Sequence, residues 1–185
     1  MGTSTFAEAT VMPEIALAKV DPAASLSSVS LLACGATTGL AAAMYKAEVR
    51  PGASVIVFGA GLVGLGAVAG STLQGAERIL VVDKSKERLA LAERYGATET
   101  FQPHDDIVAE LLAATRGLGA DYTFEATGLT GVMAQAVETA RFGRGVSTNL
   151  GVAGKGETHD IIHRRLITGR TVQRGSFGGA KVRSH

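Results

Sequence analysis

Residues Ser54-Val55-Ile56-Val57-Phe58-Gly59-Ala60-Gly61-Leu62-Val63-Gly64, with Asp83 nineteen positions past the last glycine, decide the fold of this 185-residue chain. The first five form a short, unbroken apolar run, the pattern of a strand covered on both faces. Gly59 to Gly64 matches G-x-G-x-x-G and opens a helical stretch from about Gly61 to Leu73, with Gly75 placed as a left-handed cap. Alone, that string is weak evidence. Between a strand and a helix, each glycine has its own task. Gly59 permits the tight turn, Gly61 lets the backbone approach a pyrophosphate with no Cβ in the way, and Gly64 lets the helix lie close on the strand. The helix N-terminus then offers free N–H groups and the positive dipole end to phosphates.

The next apolar run, Arg78 to Asp83, closes on a carboxylate. Placed there, it accepts hydrogen bonds from the adenosine ribose hydroxyls and repels a 2′-phosphate, so NAD is expected over NADP. Lys84 and Arg88 stand close by and soften that preference, because a basic residue can accommodate the extra phosphate. The plainer alternative is an ordinary strand-end acid beside glycines that serve packing.

Outward from this unit, strand-like and helix-like runs alternate. Ser85 can cap a helix through Glu93 that Tyr95-Gly96 stops, and Glu99–Phe101 is a third strand. A helix is expected from about Asp105 to Thr115, capped by Asp105 or Asp106. Strands at Ala120–Ala126, Gly145–Leu150 and Thr171–Phe177 are separated by helices at Leu129–Ala140 and His159–Thr168. The expected fold is α/β, a doubly wound six-stranded parallel sheet of the Rossmann kind. Before it, Phe6–Val20 resembles irregular strand, and Ser25–Lys46 is helix-rich.

Composition narrows the function classes. Hydrophobic residues are 46% and charged residues 19%, which supports a packed core. With 18 basic and 17 acidic residues, the net charge of +1 argues against a nucleic-acid surface. Pro51–Ala76 carries no charge and is long enough for a bilayer, but its glycines and the break after Phe58 fit a buried strand, turn and helix better. No membrane partner is expected. Met1–Val20 lacks the basic start and apolar run of a secretory signal. Cys34 is the only cysteine, so no intrachain disulfide can form, and a reducing cytoplasm is expected.

Three further phrases carry a resemblance: Cys34-Gly-Ala-Thr-Thr38-Gly39, Arg50-Pro-Gly-Ala-Ser-Val-Ile-Val-Phe-Gly-Ala-Gly61, and Gly175-Ser-Phe-Gly-Gly179. From about Thr5 to Ala180 the chain resembles the coenzyme-binding part of zinc-dependent medium-chain alcohol dehydrogenases, nearest the formaldehyde (thiol-adduct) dehydrogenase branch. The resemblance implies that Cys34 is the third protein ligand of the catalytic zinc and that Thr38 lies against the nicotinamide. It implies that Leu62 and Val63 face the cofactor and that Thr127-Gly128 flank the adenosine. Leu150, Gly151 and Val152 would hold the carboxamide through their backbone, together with that of Phe177. The sixth strand would form the sheet edge of a homodimer.

The chain also departs from that family. The upstream Cys and His that complete the catalytic zinc site, and the structural zinc loop, have no counterpart here. His104, His159, His163 and His185 fall at unrelated places and are expected to be surface or structural. Residues 1–35 are expected to be a remnant of the catalytic (GroES-like) domain, 36–177 the NAD-binding domain, and 178–185 the start of a return segment. NAD is the expected cofactor. Zinc belongs to a complete enzyme that oxidises an alcohol or hydroxymethyl-thiol adduct, and is not expected to be held by this chain alone. The chain alone is accordingly expected to be inert, with apolar surface exposed around Leu31, Leu32 and Phe177. A stand-alone NAD-binding redox sensor or assembly module is the alternative from another class. An adenosylmethionine-dependent methyltransferase shares the turn and the acid, but the complete glycine spacing and the Phe177-Gly-Gly run speak against it.

Overall fold

The apolar runs become six short strands in a computed structural model that describes residues 4–180. They are β1 (Ser54–Phe58), β2 (Arg78–Val82), β3 (Glu99–Phe101), β4 (Tyr122–Glu125), β5 (Val146–Asn149) and β6 (Thr171–Arg174). The order across the sheet is β3-β2-β1-β4-β5-β6, and every pairing is parallel. The chain works outward from β1 in one direction and from β4 in the other. Between β1 and β4 it changes direction, which leaves a crevice at their carboxyl ends, where Phe58 and Glu125 are register partners.

Six helices accompany the sheet: α1 (Leu26–Lys46), α2 (Leu62–Leu73), α3 (Lys86–Arg94), α4 (Ile107–Ala114), α5 (Thr130–Thr139) and α6 (His163–Ile167). Because successive strand residues face opposite sides, β1 feeds two cores. Val55 and Val57 join Val81, Phe124, Ala67 and Val68 on one face. Ile56 and Phe58 join Leu80, Val82, Ile107 and Leu111 on the other. Each such side chain, fully buried, contributes about 1.5–3 kcal/mol, which is why the central strands tolerate almost no polarity. The uncharged stretch 51–76 is therefore β1, the turn and α2 inside this sandwich.

Among the described residues α1 is the one helix long and apolar enough to cross a bilayer. Its middle is buried from Thr38 to Ala43, apart from the half-buried Leu40. Two segments of α1, Leu32–Ala36 and Ala42–Lys46, are wound as π-helix. The helix crosses α2 backbone to backbone. A Cβ on Gly39 would collide with the Val63 carbonyl oxygen, one on Gly66 would lie 2.7 Å from the Ala36 oxygen, and one on Gly70 would lie 2.7 Å from the Leu40 oxygen.

Several boundaries differ from expectation. The fourth and fifth strands are Tyr122–Glu125 and Val146–Asn149, shorter than their apolar runs, because the flanking residues turn away into loops. The sixth strand stops at Arg174 rather than Phe177. Ser176–Gly179 is a tight 3₁₀ turn in which Phe177 itself adopts φ 49°. The last helix begins at His163, not His159. Asp106 occupies the N-cap of α4 but makes no capping bond with its side chain. The His104 ring takes that role, its Nδ1 accepting from Asp106 N at 3.2 Å while Nε2 meets Glu110 Oε2 at 2.7 Å. No strand forms in Phe6–Val20, where a 3₁₀ turn at Glu14–Ala16 is the only regular element.

Candidate functional site

The carboxyl ends of β1, β2 and β4 open onto a cavity of about 460 Å³ walled by Gly59, Gly61, Asp83, Lys84, Arg88 and Thr127, with Pro103, Leu129 and Val132 supplying apolar surface. A cavity of about 440 Å³ near Glu48, Asp121 and Arg144 lies at the opposite ends of the strands. Ligands of doubly wound sheets sit at the carboxyl ends, at the switch point, so the first cavity is the candidate site.

The three glycines separate by cause. Gly59 adopts φ 94°, a conformation that disfavours any side chain. Gly64 is required by packing, because a Cβ there would strike the Gly59 carbonyl oxygen. Gly61 is different. Its φ of −74° suits any residue, and a Cβ on it would meet nothing within 4 Å. Neither backbone strain nor protein packing requires glycine at this wall of the cavity, where Gly61 serves as the N-cap of α2 and leaves the wall open to a ligand. The first turn of α2 has no side-chain cap and no acidic residue, so its N–H groups face the site unopposed.

Asp83 is buried and holds the turn itself. Its Oδ2 accepts from Ala60 N at 2.7 Å, and its Oδ1 from Ser85 N at 2.8 Å. Each oxygen keeps a further lone pair for an outside donor. Lys84 and Arg88 are exposed at the rim. Thr127 caps the opposite wall, its N–H and hydroxyl both donating to Glu125 Oε1, at 2.5 and 2.6 Å.

The remaining expected residues gather on the other side of the turn. Gly35 sits against the Leu62 side chain, which brings the Cys34 end of α1 beside the start of α2. Thr38 is buried beneath the Ser176–Gly179 turn, where a Cβ on Gly178 would overlap its carbonyl oxygen. Leu150 packs near Gly175, 3.1 Å from that glycine's Cβ position. Thr38, Leu150 and the Phe177 turn thus form one cluster. Leu62 and Val63 are not walls of the large cavity, and Leu62 is exposed. Gly151 and Val152 line a separate pocket of about 230 Å³ with Asn149, His159 and Arg174.

Cys34 is exposed, and among the described residues no three His, Cys, Asp or Glu side chains come together to hold a metal. The residues present therefore do not make a zinc site. His104 and His163 are exposed, His159 is half-buried, and His185 lies outside the described residues.

One residue escaped the sequence reading. Glu125 closes β4 as Asp83 follows β2, and it is fully buried at the switch point. The signal was an acid ending an apolar strand next to the glycine turn.

Strand order, glycine turn and acid together define a dinucleotide-binding domain of the Rossmann class. Residues 63–184 match the family model described as zinc-binding dehydrogenase. The chain is 42% identical to an S-(hydroxymethyl)glutathione dehydrogenase of Escherichia coli O1:K1 / APEC, over all of this chain and 50% of that protein. It superimposes with TM-score 0.82 on benzyl alcohol dehydrogenase from Acinetobacter calcoaceticus, 29% identical, covering 88% of this chain and 45% of that one. A zinc-binding alcohol dehydrogenase domain protein from Burkholderia ambifaria gives the same TM-score at 33% identity, over 88% and 44% of the two chains. The chain belongs to the zinc-binding dehydrogenase family and corresponds to its coenzyme-binding domain. It spans about half the length of the curated relatives it matches.

Proposed function

We propose that this chain binds NAD(H) and supplies the coenzyme half of an alcohol-oxidising dehydrogenase. The observation that carries this is Gly61, a glycine that neither backbone strain nor protein packing requires, at the mouth of a cavity walled by Asp83. The adenosine would lie between Asp83 and Thr127, with the carboxylate taking the ribose hydroxyls and disfavouring a 2′-phosphate. The pyrophosphate would cross Gly61 onto the first turn of α2, with Leu62 and Val63 alongside. The nicotinamide would reach the cluster of Thr38, Leu150 and the Phe177 turn, with the Gly151 and Val152 backbone beside it. A nicotinamide held there would supply hydride transfer, and the chain's residues would orient it.

The substrate class we propose is a primary alcohol or hydroxymethyl-thiol adduct, supported by the relatives' names. Cys34 would be one zinc ligand of the complete site, and this chain by itself holds no zinc and turns over no alcohol. We place residues 36–177 in the coenzyme domain, since the first buried residue along the described chain is Thr38. Residues 1–35 belong to the catalytic domain, and 178–185 begin the return, its last five residues lying outside the described region. The free edge of β6 is the proposed homodimer contact, and a reducing cytoplasm suits the single thiol.

Titration with NADH and NADPH, followed by nicotinamide fluorescence, tests the reading. Saturable NADH binding with NADPH at least about tenfold weaker, a difference of about 1.4 kcal/mol, is expected. A folded chain that binds neither would overturn it.

A further inference from the structure

Glu125 is a fully buried carboxylate whose two oxygens are treated very differently. Oε1 accepts three hydrogen bonds, from Thr127 N at 2.5 Å, Thr127 Oγ1 at 2.6 Å and Gly128 N at 2.8 Å. Oε2 has no partner. It lies beneath Gly151, 2.6 Å from where a Cβ on that glycine would stand. The main-chain oxygen of Glu125 meanwhile accepts from Leu150 N at 2.7 Å and Gly151 N at 3.1 Å. The two loops also touch directly, since a Cβ on Gly128 would lie 2.8 Å from the Val152 carbonyl oxygen.

A buried charge is costly unless something repays it, and an orphaned oxygen repays nothing. A neutral side chain of the same shape would serve packing alone at lower cost. The carboxylate makes sense where charge-assisted bonds must fix a loop whose backbone has few other partners. We infer that Glu125 is a positioning residue that ties the adenosine-side loop (Thr127-Gly128), held by its side chain, to the nicotinamide-side loop (Leu150-Gly151), held by its main-chain oxygen and abutted by Oε2, so that one residue sets the spacing between the two ends of the dinucleotide site. It touches neither end itself. The inference rests on the NAD(H) reading above.

Two ligands separate the two ends: ADP-ribose occupies only the adenosine and pyrophosphate portion, and NADH occupies both. In the full chain, E125Q keeps volume and one acceptor but removes the charge and turns an amide N–H₂ toward Gly151. By setting a buried N–H₂ donor against Gly151, it is expected to weaken NADH about tenfold more than ADP-ribose, the scale of one unsatisfied buried polar group. T127V, which loosens only the adenosine-side loop, is expected to weaken both ligands by a similar factor. A thermal melt of each variant reports stability independently, and a merely structural Glu125 would lower the melting temperature without changing the NADH to ADP-ribose ratio. An unchanged ratio in folded E125Q, or the same selectivity in T127V, overturns the inference while leaving the cofactor reading intact. Wild-type chain that binds neither ligand overturns both.

Discussion

Replacing Gly61 by alanine should separate ligand recognition from folding. Gly61 has φ −74° and ψ −175°, an extended conformation alanine adopts freely, and its Cβ would enter empty space. Alanine restricts the unfolded chain, a gain of about 0.4–1 kcal/mol. It is a poorer N-cap than glycine for α2, a loss of about 0.5–1 kcal/mol. The two nearly cancel, so the melting temperature should move by no more than about 2–4 °C, the equivalent of about 1 kcal/mol in a domain of this size. The same methyl would stand between the backbone and a pyrophosphate. Losing about two charge-assisted hydrogen bonds costs about 3 kcal/mol, or roughly a hundredfold in NADH affinity. Fluorescence titration and a thermal melt on the same sample measure both quantities. Gly64→Ala is the counterpart: its Cβ meets the Gly59 carbonyl, and it should lower stability by about 1–3 kcal/mol even without ligand. A G61A protein that melts like wild type and binds NADH within a factor of about three (under 1 kcal/mol) would refute the role given to Gly61.

Asp83→Asn leaves an amide group facing either Ala60 N or Ser85 N, and should cost about 2 kcal/mol of stability in urea unfolding while weakening NADH and narrowing its margin over NADPH. An unchanged NADH to NADPH ratio in the folded variant would count against the Asp83 charge as the source of the preference. At the opposite ends of the strands, burial works to raise the Asp121 pKa, but hydrogen bonds from Ser54 N and Oγ and the charges of Arg141 and Arg144 outweigh it and hold the carboxyl below the usual carboxylate range. A lowered folded-state pKa stabilises above the unfolded value and is lost as pH falls through the folded one. Asp121→Asn should therefore remove about 1 kcal/mol at neutral pH and flatten the acid limb of stability against pH, and an unchanged acid limb would count against this assignment. Cys34, exposed and alone, should react with one equivalent of a thiol reagent in native protein as readily as after denaturation. Slow native labelling would mean that the α1 end is covered.

The glycine turn, β1, β2 and Asp83 were legible because periodicity and spacing there report directly on backbone geometry. That the sheet is parallel followed from the alternation of strand-like and helix-like runs, whereas its strand order is seen only in the structure. Strand ends were not legible. Leu150 and Phe177 extend strand-like runs, yet the backbone leaves the sheet one and three residues earlier to make loops. Asp106 stands at the N-cap of α4 as its residue type suggests, but the acceptor there is the His104 ring, two residues upstream, which no local cap pattern signals. Gly151 and Val152 follow β5 and line a pocket apart from the large cavity, and local sequence says nothing of which cavity a loop lines. Glu125 was passed over because an acid at a strand end is usually solvated, and only the three-dimensional closure of the Thr127 and Gly151 loops around it makes it buried.

The crossing of α1 on α2 has a mechanical consequence. Where main chains touch without intervening side chains, no rotamer can yield, so α1 moves with the glycine turn as one stiff lever. Thr38 and the first turn of α2 then keep a fixed spacing, and any bending of this arm falls before Gly35, in residues that are almost all exposed.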